Sequence, residues 1–316
     1  IGTGYFGCRT PEGRFDLARL VDRIAETPQV RAIEVKLSQG AKAGLGGLLP
    51  APKVTPEVAE MRGIPVGVDC HSPEAHSAFT DADSLLDFVE SIADATGLPV
   101  GIKSAVGETG FWVDLAQLMS TTGRGVDFVT VDGGEGGTGA APLAFSDHVA
   151  LPFLIGFPRV YRAFAQAGIQ DDVVFIGSGR LGLPERGLVA MALGCDMVNV
   201  ARTAMLALGC IQSQRCHTGR CPTGVATQSP WLQRGLDPTL KSVRVANHVA
   251  AVRYELERLS RATGHRHPGL VSPNDLEVLD ADRIPSTLAE RHGYQPGWGV
   301  PRAADQLTIT DLVESR

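Results

Sequence analysis

The stretch VVFIGSGRLGLPERGLVAMALGCDMVNVART, residues 173–203, decides the fold class of this protein. It contains two short apolar runs, residues 173–176 and 197–200, and each run is followed by a turn of small and basic residues. The intervening segment, residues 183–193, has Pro184 near its start and Gly194 just after its end, which are start and stop signals of a helix. The repeated order of strand, turn and helix indicates parallel strands joined by right-handed crossovers.

The same alternation extends along most of the chain. Apolar runs rich in β-branched residues predict strands buried on both faces. These predicted strands span residues 1–6, 32–37, 100–103, 128–131, 173–176 and 197–200. Apolar residues at helical spacing predict helices at residues 15–26, 84–96, 111–121, 159–167, 183–193 and 239–263. Asp81 and Asp83 are candidate caps of the second helix.

Residues suited to ligand binding follow nearly every predicted strand. A closed (β/α)8 barrel builds its site from the ends of all its strands, whereas an open doubly wound sheet binds mainly at one switch point. We therefore predict an α/β protein, a (β/α)8 TIM barrel with about six of its eight strands in this chain. The partial barrel spans residues 1–209, and residues 210–316 form a cysteine loop and a C-terminal helical extension. The chain lacks an initiator methionine and begins within a predicted strand, so we expect it to be part of a longer protein.

The composition argues against several functional classes. The 316 residues have a net charge of −6, and no Lys and Arg cluster is interleaved with aromatic residues, which argues against nucleic-acid binding. No apolar run reaches the roughly 18–20 residues that a membrane span needs, and the N-terminus lacks the pattern of a signal peptide. The six cysteines are too sparse for a secreted disulfide framework, so we expect a reducing, cytoplasmic location.

Three cysteines form a cluster, Cys210-x5-Cys216-x4-Cys221, in a loop rich in Gly, Thr and Arg. Thiolates are the preferred ligands of iron–sulfur clusters and of structural zinc. Zinc needs a fourth ligand, and the only local candidate, His217, is adjacent to Cys216, which is a poor spacing for chelation. Three thiols favour a [3Fe–4S] cluster, with zinc and three unrelated buried thiols as alternatives. The isolated cysteines are interpreted as core or strand-end residues: Cys8, Cys70 and Cys195.

The turns after the last two predicted strands are candidates for a phosphate site. In barrels, the loops after the seventh and eighth strands commonly bind phosphate through backbone N–H groups. Gly177 and Gly179 would allow close approach of the backbone, and Arg180 and Arg202 would add positive charge. Ordinary tight turns are the alternative. Two such turns in the expected order favour a phosphate-bearing cofactor.

Three further cations are candidates for binding an acidic substrate or a cofactor. Lys103 ends a predicted buried strand, where a structural ion pair is the alternative role. Lys42 lies in the loop SQGAKAGLGG, residues 38–47, and together with Arg62 it would suit a dicarboxylate. The loop DGGEGGTGAAP, residues 132–142, is glycine-rich enough to pass against a ligand or another domain. Its Glu135 is either a proton carrier or a solvated carboxylate.

Four stretches together resemble the FMN-binding synthase region of the glutamate synthase family. They are KLSQGAKAGLGG at residues 36–47, VGIKSAVGE at 100–108, GGEGGTGAAP at 133–142 and ALGCIQSQRCHTGRCPTGVATQ at 207–228. The cysteine loop is the most specific, because both its spacing and its flanking residues match. The resemblance extends over residues 1–247 and is greatest to stand-alone FMN-binding proteins that lack a glutaminase domain.

The resemblance implies a (β/α)8 barrel with FMN at its mouth and a [3Fe–4S] cluster beside it. It also implies reduction of 2-iminoglutarate, formed from the 2-oxo acid 2-oxoglutarate and ammonia, to glutamate, with ferredoxin or a partner flavoprotein as electron donor. By position, Gln39, Lys42 and Arg62 would hold the oxo acid, and Lys103 would face the flavin. The implied cofactor-binding residues are Lys103, Gly133, Gly134, Gly177, Ser178, Gly179, Arg180, Ala201 and Arg202. The implied cluster ligands are Cys210, Cys216 and Cys221.

The chain departs from the family pattern at several positions. Leu48 stands where the full-length enzymes have a glutamine, and Ala51 replaces a glycine. Ala201 and Arg202 replace a Gly-Thr pair at the phosphate site. Without a glutaminase domain in this chain, ammonia would come from solution or from a separate glutaminase subunit. Three alternatives stay open: an electron-transfer subunit of a larger complex, a related amino-acid synthase such as N-methylglutamate synthase, and a phosphate-binding barrel enzyme without flavin.

Overall fold

The computed structural model, which describes residues 1–137, 139 and 141–315, contains nine strands and eleven α-helices in those ranges. The strands are β1 (Ile33–Lys36), β2 (Gly47–Leu49), β3 (Cys70–Ser72), β4 (Val100–Ala105), β5 (Phe128–Asp132), β6 (Val174–Ser178), β7 (Met197–Asn199), β8 (Glu277–Leu279) and β9 (Pro285–Thr287). The helices are α1 (Leu17–Ala25), α2 (Pro56–Arg62), α3 (Ala82–Thr96), α4 (Gly110–Thr122), α5 (Phe153–Gln166), α6 (Pro184–Ala192), α7 (Arg202–Leu208), α8 (Pro230–Gln233), α9 (Pro238–Ala262), α10 (Leu288–His292) and α11 (Ala303–Glu314).

The central sheet is parallel. Its strands lie side by side in the order β1-β4-β5-β6-β7, which is also their order along the chain. A doubly wound sheet reverses its strand order at a switch point, whereas a barrel keeps one direction. The antiparallel pairs β2–β3 and β8–β9 form separate two-stranded sheets. The arrangement is that of a partial (β/α)8 barrel, so the predicted fold class is confirmed.

The two faces of the sheet differ because side chains alternate along each strand. One face carries a row of aligned, buried apolar side chains, Val35, Ile102, Val129 and Phe175. The other face carries Lys36, Lys103 and Thr130 at aligned positions. On this second face Val174 and Met197 are 39% and 51% exposed, so helices do not cover it. In a closed barrel, such a face lies towards the interior.

Five of the six predicted strands are present, and the prediction of a strand over residues 1–6 is wrong. Ile1 does pair with β1: its amino group donates to the Glu34 carbonyl at 2.6 Å, and Lys36 N–H donates to the Ile1 carbonyl at 2.8 Å. After Ile1 the chain turns, because Tyr5 N–H donates to the Gly2 carbonyl at 2.9 Å and Tyr5 has a φ of 47°.

A buried polar network explains the turn at Tyr5. The Tyr5 hydroxyl accepts hydrogen bonds from the backbone N–H groups of Ser77 and Ala78 and lies 3.1 Å from His76 Nδ1. His76 Nε2 lies 2.9 Å from the Lys36 carbonyl, which only accepts, so Nε2 carries a proton. Burial lowers the pKa of His76. Nδ1 of the neutral ring therefore accepts a hydrogen bond from the Tyr5 hydroxyl. The two residues are 71 positions apart in the sequence.

The predicted helices are all present, and one begins earlier than expected. Helix α5 starts at Phe153, not at residue 159, and it keeps Pro158 inside it. Its first N–H groups need external acceptors, and the carboxylate of Glu135 accepts from Phe153 N–H at 2.9 Å. Asp81 caps α3 as predicted, by accepting from Ser84 N–H at 2.8 Å.

The C-terminal region packs onto the partial barrel. Helix α9 packs against α6 and α7, and Leu256 and Ser260 are its buried residues. Farther along, the Tyr294 hydroxyl donates to the Leu193 carbonyl at 2.8 Å. Gly299 N–H donates to the Tyr161 hydroxyl at 2.9 Å, and burial raises the pKa of Tyr161 to about 12. Among the described helices, none is both long and apolar enough to cross a bilayer.

Replacement of Gly40 by alanine should destabilise the protein, because an added Cβ would lie 1.9 Å from the Gly133 carbonyl oxygen and 2.8 Å from that of Asp132. Both atoms are backbone, so relief requires separation of two loops, at a cost of about 2–3 kcal/mol of unfolding free energy. Gly107→Ala is the control, because its Cβ would meet nothing within 4 Å. Urea unfolding of both variants measures the difference, and equal midpoints would contradict this packing.

Candidate functional site

The carboxyl ends of the five parallel strands lie at one edge of the sheet. Gln39 and Lys42 follow β1, Lys103 lies in β4, and the glycine-rich loop follows β5. Arg180 follows β6, and Arg202 follows β7. Parallel strands bring residues that are distant in sequence to a common edge, which is where barrel enzymes place their sites.

A buried carboxylate, Asp132, connects three of these strand ends. Its Oδ2 accepts from Gly40 N–H at 2.9 Å, and its Oδ1 accepts from the Ser178 hydroxyl at 2.8 Å. Lys103 Nζ lies 3.8 Å from Oδ2, and Asp132 is 4% exposed. Lys103 therefore forms an ion pair with Asp132. A structural ion pair was the alternative role considered for this lysine. Asp132 was not among the predicted site residues, although an acidic residue at the end of the apolar run FVTVD was a signal for its role.

A third lysine, Lys36, also lies at the site, although it was not among the predicted site residues. It ends β1, aligned with Lys103 on the polar face, and its Nζ donates to Gln39 Oε1 at 2.9 Å. Burial lowers the pKa of Lys36, and the charges of Lys42 and Lys103 lower it further. The Gln39 amide oxygen is thus occupied, which leaves the amide NH2 group to donate to a ligand.

A large cavity of about 1360 Å³ opens at this edge of the sheet. It brings together the loop after β1, the turns after β6 and β7, and the cysteine loop. Arg180 in its wall pairs with Asp147 at 3.2 Å. Among the lining residues are Lys42, Leu48, Arg180, Ala201, Arg202, Cys210, Cys216 and His217. Within the described ranges, the cavity is lined by three Lys or Arg side chains and by two carboxylates, Glu74 and Asp147, and this net positive charge suits an anionic ligand.

The structure places Arg62 in a different cavity from Lys42. A smaller cavity of about 370 Å³ is lined by Lys53, Arg62 and residues 225–228 among others. The Arg62 guanidinium lies over the Phe6 ring, 4.8 Å from its centroid. The predicted pair of Lys42 and Arg62 is therefore not gathered in one cavity.

The first half of the glycine-rich loop packs against the start of α5. An added Cβ on Gly133 would lie 2.6 Å from Phe153 N, and one on Gly134 would lie 2.3 Å from the Ala150 carbonyl oxygen. Glu135 is half-buried and caps α5, which differs from both predicted roles, a proton carrier and a solvated carboxylate. These residues hold the loop in place.

The second half of the glycine-rich loop lies against the cysteine loop. An added Cβ on Gly137 would meet the Arg202 guanidinium at 1.9 Å, and one on Gly139 would meet Cys216 Sγ at 2.5 Å. Thr138 and Ala140 lie outside the described residues. This half of the loop, predicted to pass against a ligand or another domain, thus lies against Arg202 and Cys216.

In the predicted phosphate turn, only the last of four residues lines the large cavity. A Cβ on Gly177 would lie 2.8 Å from Leu181 Cδ1, so this position faces packed side chains. Ser178 bonds to Asp132, as described above. Gly179 has a φ of 139°, which favours glycine, and Arg180 follows with a φ of 55° and lines the cavity.

The cysteine loop has an unusual backbone. Gln212 and Gln214 have φ values of 54° and 55°, a left-handed conformation that costs free energy for residues other than glycine. Gln212 N–H donates to Cys210 Sγ at 3.4 Å. Cys210 and Cys216 are half-buried and line the large cavity, and Lys53 Nζ donates to the Cys216 carbonyl.

Cys221 differs from the other two cysteines of the loop because it is 5% exposed. Burial raises the pKa of its thiol, but hydrogen bonds from Thr223 and from the backbone of Ala226 and Val225 outweigh burial and bring the pKa to about 7. These bonds favour the thiolate, the form that binds metals.

In the part of the chain that the structure describes, no three His, Cys, Asp or Glu side chains are arranged as a metal site. The three cysteines therefore share a loop without converging on one point. All six cysteines are free thiols, and Cys8, Cys70 and Cys195 are buried, as predicted.

Comparison with known proteins identifies the family. A family model described as a conserved region in glutamate synthase matches residues 1–266. The glutamate synthase large subunit-like protein YerD of Bacillus subtilis is 39% identical over 268 residues, which are 85% of this chain and 51% of that protein. The archaeal glutamate synthase [NADPH] of Methanocaldococcus jannaschii is 39% identical over 235 residues, 74% of this chain and 45% of that protein.

Solved structures are less similar to this chain. A mutant flavocytochrome b2 with benzoylformate is 16% identical, with 80% of this chain and 49% of that chain covered and a TM-score of 0.45. The chain spans about half the length of the curated relatives it matches. The family match over residues 1–266, together with 39% identity to two relatives, shows that this chain belongs to the glutamate synthase family.

Proposed function

We propose that this chain is the FMN- and [3Fe–4S]-binding part of an oxidoreductase that reduces 2-iminoglutarate, formed from 2-oxoglutarate and ammonia, to glutamate. The observation that carries the proposal is one shared cavity. It is lined by Lys42 after β1, by Arg180 and Arg202 after β6 and β7, and by Cys210 and Cys216. The same cavity is thus bordered by a cation that could bind a substrate, by cations that could bind a phosphate and by thiols that could bind a cluster. Relatives named glutamate synthase support the reaction.

The arginines of the cavity suit the phosphate of FMN. The cavity volume of about 1360 Å³ is larger than the roughly 300–1,000 Å³ of common small-molecule sites, so the cavity has room for a ligand of this size. Arg180 and Arg202, with Ala201 beside them, would hold the phosphate, and Lys103 would lie near the ring. When bound, FMN would supply hydride-transfer chemistry and the ability to exchange electrons one at a time. The remaining predicted cofactor residues support these loops through packing or hydrogen bonds: Gly133, Gly134, Gly177, Ser178 and Gly179.

Lys42 and Gln39 are assigned to the substrate. Lys42 lines the cavity and offers a positive charge to a carboxylate. Lys36 holds Gln39 through its amide oxygen, so the Gln39 NH2 group would donate to an oxygen of the substrate. Arg62, which the resemblance assigns to the oxo acid, lines the smaller cavity, and its role stays a prediction.

Asp132 is assigned as a positioning residue. It holds Lys103 through an ion pair and holds the Gln39–Lys42 loop through Gly40 N–H. Ser178, at the end of β6, donates to the same carboxylate. The carboxylate thus fixes the relative positions of a substrate loop and a cofactor loop without itself facing the large cavity.

A second candidate reaction has one observation in its favour. Leu48 is 56% exposed and lines the large cavity, at a position where the resemblance expects a glutamine. An apolar side chain there suits a methyl group on the imine nitrogen, as in an N-methylglutamate synthase. Turnover with methylamine compared with ammonia distinguishes the two reactions. Ammonia would come from solution or from a separate glutaminase subunit.

We assign the cysteine loop to a [3Fe–4S] cluster held by Cys210, Cys216 and Cys221, which do not converge on one point in this structure and would have to come together around the cluster. Support comes from the chemistry of the donors: three free thiols in one loop, an N–H donor to Cys210 Sγ, and hydrogen bonds that favour the Cys221 thiolate. Free cysteines throughout the chain also suit a reducing, cytoplasmic location.

Full-length protein purified without oxygen tests both cofactors. We expect flavin absorption near ~450 nm over a broad cluster shoulder, with iron and sulfide present. Cys216→Ser should lose the iron and sulfide but keep the flavin, whereas Cys70→Ala, which removes a thiol outside the loop, should keep both. Cluster without flavin would instead indicate an electron-transfer subunit, and unchanged iron in Cys216→Ser would refute the ligand assignment.

Lys42→Ala should raise KM for the oxo acid about 10- to 100-fold, the cost of one hydrogen bond to a charged group. Flavin content should not change, because the phosphate cations remain. Arg31→Ala is the control, since it removes one positive charge just before β1, at the opposite edge of the sheet. Steady-state kinetics and flavin titration measure both effects. Loss of flavin with KM unchanged would place this lysine at the cofactor instead.

Asp132→Asn should lower the unfolding free energy by about 3 kcal/mol, because it leaves the half-buried Lys103 without its counter-charge. An amide also cannot accept from both Gly40 and Ser178, since its NH2 group donates. Asp305→Asn is the control: its pair with Arg302 is exposed, and we expect a change below about 1 kcal/mol. Urea unfolding compares the two variants, and flavin affinity should fall only in Asp132→Asn.

A further inference from the structure

The hairpin of β2 and β3 presents one of its two faces to the large cavity. Its strands pair antiparallel, with Leu48 opposite His71 and Leu49 opposite Cys70. Because side chains alternate along a strand, Leu48 and His71 project from one face, and Leu49 and Cys70 project from the other. Cys70 belongs to a small buried cluster, and Leu49 packs against that cluster. The second face is thus anchored in the protein.

The first face borders the large cavity. Leu48 is 56% exposed, His71 is also exposed, and both line the cavity. Directly opposed residues of an antiparallel pair have Cβ atoms about 4.5–5.5 Å apart, so the leucine and the imidazole form one surface. Glu74, three positions after His71, lines the same cavity. We call Leu48, His71 and Glu74 the hairpin wall.

Packing fixes the chain directly before Glu74. The Thr3 hydroxyl donates to the Pro73 carbonyl at 2.7 Å. An added Cβ on Gly46 would lie 2.3 Å from the Ser72 carbonyl oxygen, so the two strands of the hairpin lie close together there. A side chain that follows a fixed backbone can serve as part of a binding site.

The two carboxylates among the described lining residues differ in their partners. Asp147 pairs with Arg180 at 3.2 Å. Glu74 is exposed, and its carboxylate has neither an ion pair nor a hydrogen bond with the residues that the structure describes. The cavity therefore combines cations, such as Lys42 and Arg202, with one uncompensated negative charge on the hairpin wall. Ligands that complement both carry an anionic group and a cationic group.

We propose that the hairpin wall is the subsite for the nitrogen donor, and that this donor is a primary alkylamine bound as its ammonium ion. Glu74 accepts hydrogen bonds from the ammonium group, and Leu48 contacts the alkyl group. Ammonium itself would satisfy Glu74 but not Leu48, so the wall selects alkylamines over ammonia.

The subsite rests on the proposed function, in which Lys42 of the same cavity holds the 2-oxo acid, and it favours the candidate reaction with an alkylated nitrogen. Condensation of an alkylammonium ion with the oxo acid forms the C=N bond and breaks the C=O bond. One water and one proton are released to solvent. The donor must be a primary amine, because the nitrogen of a neutral imine keeps a single substituent.

The carboxylate is tested by titrating full-length protein with n-propylammonium chloride and following the ligand by NMR. Glu74→Gln should weaken binding about tenfold or more, the cost of one hydrogen bond to a charged group. Glu60→Gln is the control, because it removes the same charge from an exposed position on α2 outside the cavity lining. Equal affinities of these two variants overturn the proposal.

The alkyl contact is tested by comparing n-propylammonium with methylammonium chloride in the same titration. Unsubstituted protein should bind the longer ion about threefold or more tightly, because added methylenes are removed from water. Leu48→Gln should abolish this preference. Leu312→Gln should keep it, because Leu312 is 60% exposed on α11, away from the cavity. A preference that survives in Leu48→Gln overturns the assignment of an alkylamine.

Steady-state kinetics with methylamine as nitrogen source separate the subsite from the reaction. Glu74→Gln should raise KM for methylamine about tenfold and leave KM for 2-oxoglutarate unchanged. Protein that lacks flavin and turnover but binds alkylammonium ions through Glu74 contradicts the proposed function and leaves the subsite supported. Turnover with ammonia in protein that binds no alkylammonium ion overturns the subsite and leaves the proposed function intact.

Discussion

The buried carboxylate of Asp132 is the interaction on which the site depends. Three partners from different strand ends hold it: Gly40 N–H from the loop after β1 and the Ser178 hydroxyl from β6 donate hydrogen bonds, and Lys103 from β4 forms an ion pair. A buried charge is costly unless it is paired and hydrogen-bonded, so these partners are held close to one another. Loops that would otherwise move independently above the sheet are thereby fixed at the edge where barrel enzymes bind their ligands.

Two glycines let the cysteine loop approach the same edge of the sheet. Positions 137 and 139 lack side chains, and Arg202 and Cys216 occupy the space that a Cβ would need. The glycines of the glycine-rich loop therefore allow close contact with Arg202 and the cysteine loop, and the cavity lies beside that contact. Its lining joins basic residues from the barrel with thiols from the loop, so a ligand bound there would face both.

Much of the fold and part of the site could be predicted from the sequence. Five strands and all six helices follow from apolar spacing and caps. The strand predicted over residues 1–6 failed because the Tyr5 hydroxyl bonds to residues 76–78, which draws the chain into a turn. Glu135 had no local signal for its role, because the helix that it caps begins 18 positions later. Arg62 lies over Phe6, a contact that spacing does not reveal.

The sequence by itself determined the parallel α/β architecture, the resemblance to the glutamate synthase family and the three-cysteine loop. Each of these depends on residue type and spacing within short segments. Only the tertiary structure decided that Lys36 holds Gln39, that Asp132 joins the strand ends, and that Lys42 and Arg62 occupy separate cavities. The reason is physical: Gly40 and Asp132 are 92 positions apart, and the pairing of β1 and β5 with β4 in the sheet, not local preference, brings them within hydrogen-bond distance.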